Sequence, residues 1–267
     1  MIPYDLQEHC IGISAKTGEN IQELKELLGK QIKSMPAQKM IVSDLLEPND
    51  LVVLVIPIDE SAPKGRLILP QQQTIRDILD ANCISISVQE EQLTPLLSTL
   101  TRKPKLVITD SQAFERVAKD TPKDVLLTSF SILFARYKGN LEEAVRGAKA
   151  LDQLQTGDHI LISEGCSHHR QCNDIGSVKL PGWIKEHTKK ELNFHFTNGT
   201  EFPQDLSPYR LVIHCGGCML NATEMQHRIS TSREQQVPIT NYGIAIAYMH
   251  GILKRSVAAF PEISKLL

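Results

Sequence analysis

The sequence lacks the features that mark membrane proteins, exported proteins and proteins that bind nucleic acid. Although 41% of its 267 residues are hydrophobic, no run approaches the ~20 apolar residues that a membrane-spanning helix needs. The opening segment MIPYDLQEHC has neither a basic start nor an apolar core, so no export signal is expected there. A net charge of -2 offers no basic surface for nucleic acid. These absences predict a cytoplasmic protein with no membrane or nucleic-acid partner.

Cysteine is scarce as well, and its distribution is uneven. Six cysteines in a chain of this length are too few for a fold held together by disulfides. Cys10 and Cys83 lie in predicted strands and are expected in the core, whereas the other four fall between residues 166 and 218. In a reducing compartment, such clustering indicates metal binding or redox chemistry.

Apolar segments alternate with amphipathic segments over most of the chain. Continuous apolar runs such as DLVVLVIPI are typical of parallel strands covered on both faces, and segments of helical period separate them. Strands are predicted at 50–58, 83–89, 105–110, 124–129, 158–163, 192–197 and 209–214. The alternation predicts an α/β fold of two small domains with mostly parallel sheets, residues 40–135 and 136–267. Residues 1–34, with a strand predicted at 10–14 and a helix at 21–32, are too few to bury a core of their own.

The segment 40–135 carries neither a glycine-rich phosphate loop nor clustered ligands. The sequence therefore favours a structural or assembly role for it, since function has to be argued from a site. An open sheet of four strands leaves unpaired edges, and a second copy of the chain can pair with one of them.

Two predicted strands end on similar groups of polar residues. The strand HILIS runs into EGCSH at 164–168, and the strand RLVI runs into HCGGC at 214–218. Because the carboxyl ends of neighbouring parallel strands meet at one edge of a sheet, the two groups are expected to converge. The candidate metal ligands are Cys166, His168, His214, Cys215 and Cys218.

Several kinds of site fit this convergence. Three thiolates and an imidazole form a zinc site. The same thiolates fit a [4Fe-4S] cluster, for which Gly216 and Gly217 give the backbone freedom. A Cys-x-x-Cys pair alone also fits a thiol oxidoreductase. The spacing favours a metal over a redox pair, and it favours a cluster slightly over zinc. In the plainest interpretation Cys166 is a small buried side chain, the histidines cap strand ends and Cys172 is a spare thiol.

The combination of motifs resembles that of HydF, the family of GTPase maturation factors of [FeFe]-hydrogenase. Its cluster domain carries Cys-x-His, a long spacer and then His-Cys-x-x-Cys. Here Cys166-Ser-His168 is followed, after residues 169–213, by His214-Cys215-Gly-Gly-Cys218. The segment GISAKTGEN at 12–20 resembles the base-recognising segment that closes the GTPase domain of that family. The resemblance covers the layout of the whole chain, except that most of a GTPase domain is missing.

The resemblance implies a scaffold and carrier in hydrogenase maturation. Such proteins bind a [4Fe-4S] cluster, receive the diiron precursor of the hydrogenase active site from radical-SAM maturases, and deliver it to apo-[FeFe]-hydrogenase. They form homodimers that assemble further into tetramers. By this resemblance, residues 40–135 form the dimerisation domain, with the dimer sheet from segment 50–130, and residues 136–267 form the cluster-binding domain.

The resemblance also implies the cluster ligands. Carried over to this sequence, the three thiolate ligands are Cys166, Cys215 and Cys218. The fourth iron would be held by an exchangeable group, because a site closed by four thiolates could not exchange a ligand. The candidates for that position are water, His168, His214 and a carboxylate such as Glu164.

GTP binding is implied only for a full-length form of such a protein. The sequence contains no Gly-x-x-x-x-Gly-Lys-Ser/Thr, and residues 1–34 are interpreted as the C-terminal remnant of a GTPase domain. Without the phosphate cradle and its lysine, we expect this chain neither to bind nor to hydrolyse GTP. Titration of the chain with GTP checks this expectation, and a micromolar affinity would contradict it.

Overall fold

The computed structural model describes residues 11–32, 40–58, 65, 67–165 and 174–267. The chain divides into two compact units, Met1–Lys39 and Met40–Leu267. In the first unit, helix α1 (Ile21–Ile32) lies where it was predicted. The strand predicted at 10–14 is wrong in its described part, because residues 11–14 form no strand. A strand needs a hydrogen-bonded neighbour, and the described residues of this unit contain none.

The second unit contains two four-stranded sheets in which all described neighbours are parallel. The strands are β1 (Leu51–Val55), β2 (Ile84–Val88), β3 (Leu106–Thr109), β4 (Leu126–Ser129), β5 (His159–Ser163), β6 (Asn193–Thr197), β7 (Leu211–His214) and β8 (Ile239–Asn241). Their order is β2-β1-β3-β4 in the first sheet and β6-β5-β7-β8 in the second. The predicted α/β class with parallel sheets is confirmed, and only the short strand β8 was not predicted.

Helices follow most of the strands, and four of them begin at a residue whose side chain caps the helix. In the second unit the helices are α2 (Leu69–Asp80), α3 (Glu90–Thr99), α4 (Phe114–Asp120), α5 (Phe130–Lys138), α6 (Leu141–Ala148), α7 (Leu180–Thr188), α8 (Ala222–Glu234), α9 (Tyr242–Met249), α10 (Leu253–Ser256) and α11 (Pro261–Ser264). Ser129, Asn140, Asn221 and Asn241 each accept a hydrogen bond from the backbone N–H three residues ahead. Within the described ranges, no helix has both the length and the apolarity to cross a membrane.

The two sheets belong to one compact unit because late helices pack against the first sheet. All five residues of β1 are buried, as expected for a parallel strand covered on both faces. The core around β1 also takes in Leu253, Val257 and Phe260 from the C-terminal end of the chain. The C-terminal helices therefore close the core that the first four strands begin.

The second sheet positions the candidate site. After β5 the chain continues to β6 on one side, and after β7 it continues to β8 on the other, so the strand order reverses between β5 and β7. The two strands are parallel neighbours that end level, with Ser163 paired to His214. This confirms the prediction that the two polar groups follow adjacent strands. Such a reversal point, at the carboxyl ends of the strands, is where open α/β sheets bind ligands.

Candidate metal centre

The ends of β5 and β7 are joined through Cys215. Its backbone N–H donates to the carbonyl oxygen of Ser163 at 2.9 Å. Its Sγ accepts backbone N–H groups from Gly165 at 3.0 Å and from Gly217 at 3.4 Å. Backbone N–H groups that point at a cysteine sulfur stabilise its thiolate, the form that binds metals.

The loop that carries Cys215 and Cys218 contains two glycines with different surroundings. Both cysteines are half-buried. Among the described residues, no atom lies within 4 Å of a Cβ added at Gly216. Gly217 has φ +62°, and its added Cβ would lie 2.7 Å from Sδ of Met225, so glycine is needed there. Two thiols and backbone N–H donors suit the predicted cluster, and the thiols also suit zinc.

The remaining predicted ligands lie outside the described residues. Cys166 and His168 fall in the segment 166–173, as does Cys172, so their positions are not described. Among the residues that are described, no group of three or more His, Cys, Asp or Glu side chains could hold a metal ion. Gly165, the residue before Cys166, nevertheless already contacts the sulfur of Cys215. Predicted core residue Cys83 is 5% exposed, and that prediction is confirmed.

His214 has both ring nitrogens engaged. The side chain is 1% exposed. Nδ1–H donates to the carbonyl oxygen of Cys215 at 2.7 Å, because a carbonyl can only accept. Nε2 therefore accepts the hydrogen bond that Arg228 donates at 2.9 Å. To bind a metal, His214 would first have to give up one of these two hydrogen bonds.

Arg228 is the central residue of a buried polar network that the sequence analysis missed. Its side chain is fully buried and pairs with Glu224 at 2.8 Å. It also donates to Ser163 Oγ at 3.2 Å and to the carbonyl oxygen of Gly199 at 2.9 Å. One side chain thus ties β5, β7 and the turn after β6 together. A sequence signal did exist, since Arg228 lies within the buried stripe of α8 and four residues after an acidic partner.

A second contact that the sequence did not reveal lies directly after β5. Glu164 is 3% exposed, and the Tyr242 hydroxyl donates to its carboxylate at 3.2 Å. Burial, followed by the Glu164 carboxylate, raises the pKa of Tyr242 above its ordinary value. Gly176, in the π-helical turn Ile175–Lys179, packs closely against this pair. A Cβ added at Gly176 would lie 2.3 Å from the Glu164 carboxylate oxygen and 2.3 Å from the Tyr242 hydroxyl oxygen. Such π-helical turns are frequent at functional sites.

Acid should destabilise the metal-free protein through His214. Burial, with Arg228 contributing, lowers the pKa of His214 to about 4. The unfolded chain therefore takes up a proton below pH ~6.5 that the folded protein does not, so stability falls as the pH drops from about 6.5 towards 4. At pH ~5 the loss should be about 2 kcal/mol. We expect His214→Gln to remove this part of the pH dependence of the unfolding free energy, measured by urea unfolding. If the unfolding free energy of the variant and of the wild type fell equally with pH, the prediction would be contradicted.

Comparison with known protein families gives two matches. Residues 41–139 match the hydrogen maturase F dimerization domain. Residues 142–259 match the hydrogen maturase F tetramerization domain. The first match contains all of the first sheet, and the second contains all of the second sheet with Cys215 and Cys218. No match to a curated protein reaches significance.

Proposed function

The chain belongs to the hydrogen maturase F family and has a role in hydrogenase maturation, and we propose that it is the scaffold that holds a [4Fe-4S] cluster and carries a diiron precursor. The family's dimerization and tetramerization domains provide for self-association of the chain. In this proposal the diiron precursor is cargo. It comes from radical-SAM maturases and goes to apo-[FeFe]-hydrogenase, and GTP takes part only in a full-length form.

The observation that carries the proposal is the meeting of two strand ends around one sulfur. Cys215 lies at the point where the strand order reverses, and its Sγ accepts N–H groups from both loops. Cys166, the third candidate ligand, follows Gly165 directly in the sequence. The backbone N–H of Gly165 already donates to the sulfur of Cys215. Cys166, Cys215 and Cys218 would hold the cluster, since Fe–S clusters are bound by thiolates.

The surrounding side chains would act by holding the strand ends in place. Arg228 fixes His214 and Ser163 at the ends of β7 and β5. If three thiolates held the cluster, one of its irons would keep a coordination position that an exchangeable ligand could occupy. Glu164 is a candidate for that position because it follows β5 directly. It is buried, and its carboxylate accepts a hydrogen bond from the Tyr242 hydroxyl. His168 is another candidate, and His214 joins them only if its hydrogen bond from Arg228 breaks.

Self-association would use the open edge of the first sheet. β2 forms that edge, and Ile84 on it is 45% exposed. The Ile84 N–H donates to the carbonyl oxygen of Asp50 on the β1 side, so alternate residues of β2 bond to β1. The backbone groups of Ser85 and Ser87 therefore point to the open edge. The opposite edge, β4, packs against α10. We propose β2 as the strand that pairs with a second copy.

Anaerobic reconstitution with iron and sulfide tests the proposal. We expect the chain to take up iron and acid-labile sulfide in equal amounts and to give an EPR signal when it is reduced. Uptake of zinc in place of iron would support a zinc-stapled assembly module. A reversible Cys215–Cys218 disulfide with no metal requirement would support a thiol oxidoreductase. Either result would contradict the carrier proposal.

A further inference from the structure

The last residue of α5 holds the loop that carries the two thiols. The ammonium group of Lys138 donates to the carbonyl oxygens of Gly217 at 3.3 Å, Cys218 at 2.9 Å and Leu220 at 3.0 Å. An ammonium group has three N–H donors, and here all three are directed at one loop. We infer that Lys138 is a positioning residue that fixes this loop and places a positive charge beside the cluster site.

The loop needs such an anchor because its own sequence is permissive. Gly216 and Gly217 adjoin each other, and glycine loses more conformational freedom on ordering than any other residue. The described peptide bonds are trans, and in a planar trans peptide the N–H points away from the preceding carbonyl. Carbonyls drawn towards Lys138 therefore turn the N–H groups of Cys218 and Met219 to the opposite side. The lysine thus organises the direction of the backbone donors as well as the path of the loop.

The helix that carries Lys138, α5, is held in place at both of its ends. α5 begins at the end of β4, where the Ser129 hydroxyl caps it by accepting the Ile132 N–H. At its other end, the Gln226 amide donates to the carbonyl oxygens of Lys138 at 3.3 Å and Gly139 at 3.0 Å. One helix thus connects the edge of the first sheet to the thiol loop of the second. The Lys138 side chain therefore extends from a helix whose two ends are fixed, rather than from a loop.

The charge of Lys138 acts on both sulfurs. The ammonium group lies 2.9 Å from the carbonyl oxygen of Cys218, so its charge is close to the residues that carry the sulfurs. Burial lowers the pKa of Lys138, and Cys218 and Cys215 oppose that shift. A cluster gains negative charge on reduction, so a nearby cation stabilises its reduced form and raises its reduction potential. This second effect rests on the proposed cluster, whereas the positioning of the loop does not.

The test compares Lys138→Met, Lys138→Arg and the control Lys149→Met. Methionine keeps the unbranched, apolar stem of the side chain and removes the charge and the donors, and arginine keeps the charge. Lys149 also donates to a backbone carbonyl, that of Leu266, so its replacement removes one equivalent charge elsewhere. In the metal-free full chain, we expect amide exchange over 215–221 to accelerate at least about tenfold in Lys138→Met, with β7 unchanged. In the reconstituted chain, the midpoint potential should fall in Lys138→Met and stay near the wild-type value in Lys138→Arg and Lys149→Met.

Each measurement can overturn the inference. Wild-type exchange over 215–221 in Lys138→Met would mean that the lysine does not position the loop. A wild-type potential in the reconstituted Lys138→Met chain would reduce Lys138 to an ordinary structural contact. If the wild-type chain takes up no iron, the cluster proposal and the charge effect both fail, and the exchange measurement still decides whether Lys138 positions the loop.

Discussion

Replacing Cys215 by alanine is expected to remove most of the iron that the chain takes up on reconstitution, and with it the EPR signal of the reduced protein. The sulfur of Cys215 accepts the N–H groups of Gly165 and Gly217, so its loss removes both a proposed ligand and the contact between the two loops. Soft thiolates have no adequate substitute at a cluster iron. Cys166→Ala and Cys218→Ala should show the same loss. Iron and sulfide analysis per chain, with EPR after reduction, measures it.

The controls separate ligands from neighbouring thiols and histidines. Cys83 is buried in the first sheet's core, where its Sγ contacts the carbonyl oxygen of Glu47 at 3.0 Å, so Cys83→Ala should keep the iron. Cys172→Ala should keep it as well. His168→Ala and His214→Ala should retain the iron but change the EPR line shape, because an imidazole is the more exchangeable partner. Loss of the cluster in Cys172→Ala together with its retention in Cys166→Ala would contradict the ligand assignment.

A proline at position 87 is expected to weaken self-association strongly without unfolding the chain. Ser87 lies on the edge strand β2 with its N–H directed away from β1, and proline removes that donor and adds bulk at the edge. Removing the donor leaves its acceptor on the second copy unsatisfied, which costs about 1–3 kcal/mol, and 1.4 kcal/mol corresponds to a factor of ten. The dissociation constant of the dimer should therefore rise by about one to two orders of magnitude. Sedimentation over a range of concentrations measures it.

Two further variants make this result interpretable. Ser87→Thr keeps the backbone N–H and should leave self-association unchanged. Cys215→Ala should also remain associated, since the edge of the first sheet is distant in sequence from the thiols. A folded Ser87→Pro chain with wild-type assembly would show that another surface joins the copies. A monomeric Cys215→Ala chain would show that the bound metal joins them.

Short-range patterns in the sequence were sufficient to predict most of the fold. Apolar runs located β1, β3, β4, β5 and β7, which are mostly buried, as expected for parallel strands covered on both faces. The edge strands β2 and β6 are more exposed and alternate apolar with polar residues. β8, of three residues, follows Pro238 and is too short to give a periodic signal. The packing of Leu253 and Phe260, near the C-terminal end of the chain, in the core around β1 could not be predicted either. Nothing in a short amphipathic segment specifies which distant sheet it covers.

The candidate site divides in the same way. Cys215 and Cys218 could be placed at a strand end because the apolar run stops there, and the adjacency of β5 and β7 followed from the parallel pattern. Lys138 could not be found, because a lysine in the last turn of a helix is the ordinary complement of the helix dipole. Its partners lie far along the chain, since Cys218 comes 80 positions after Lys138. Contacts of that range are visible only in the folded structure.

The most direct test of the carrier proposal asks whether one iron of the cluster has an exchangeable ligand. Reconstituted chain is reduced, and its EPR spectrum is recorded with and without added imidazole and again after the imidazole is removed. Three thiolates and one exchangeable group predict a reversible change of the spectrum. A cluster whose spectrum stays the same at saturating imidazole would have four fixed ligands, and that result would contradict the account.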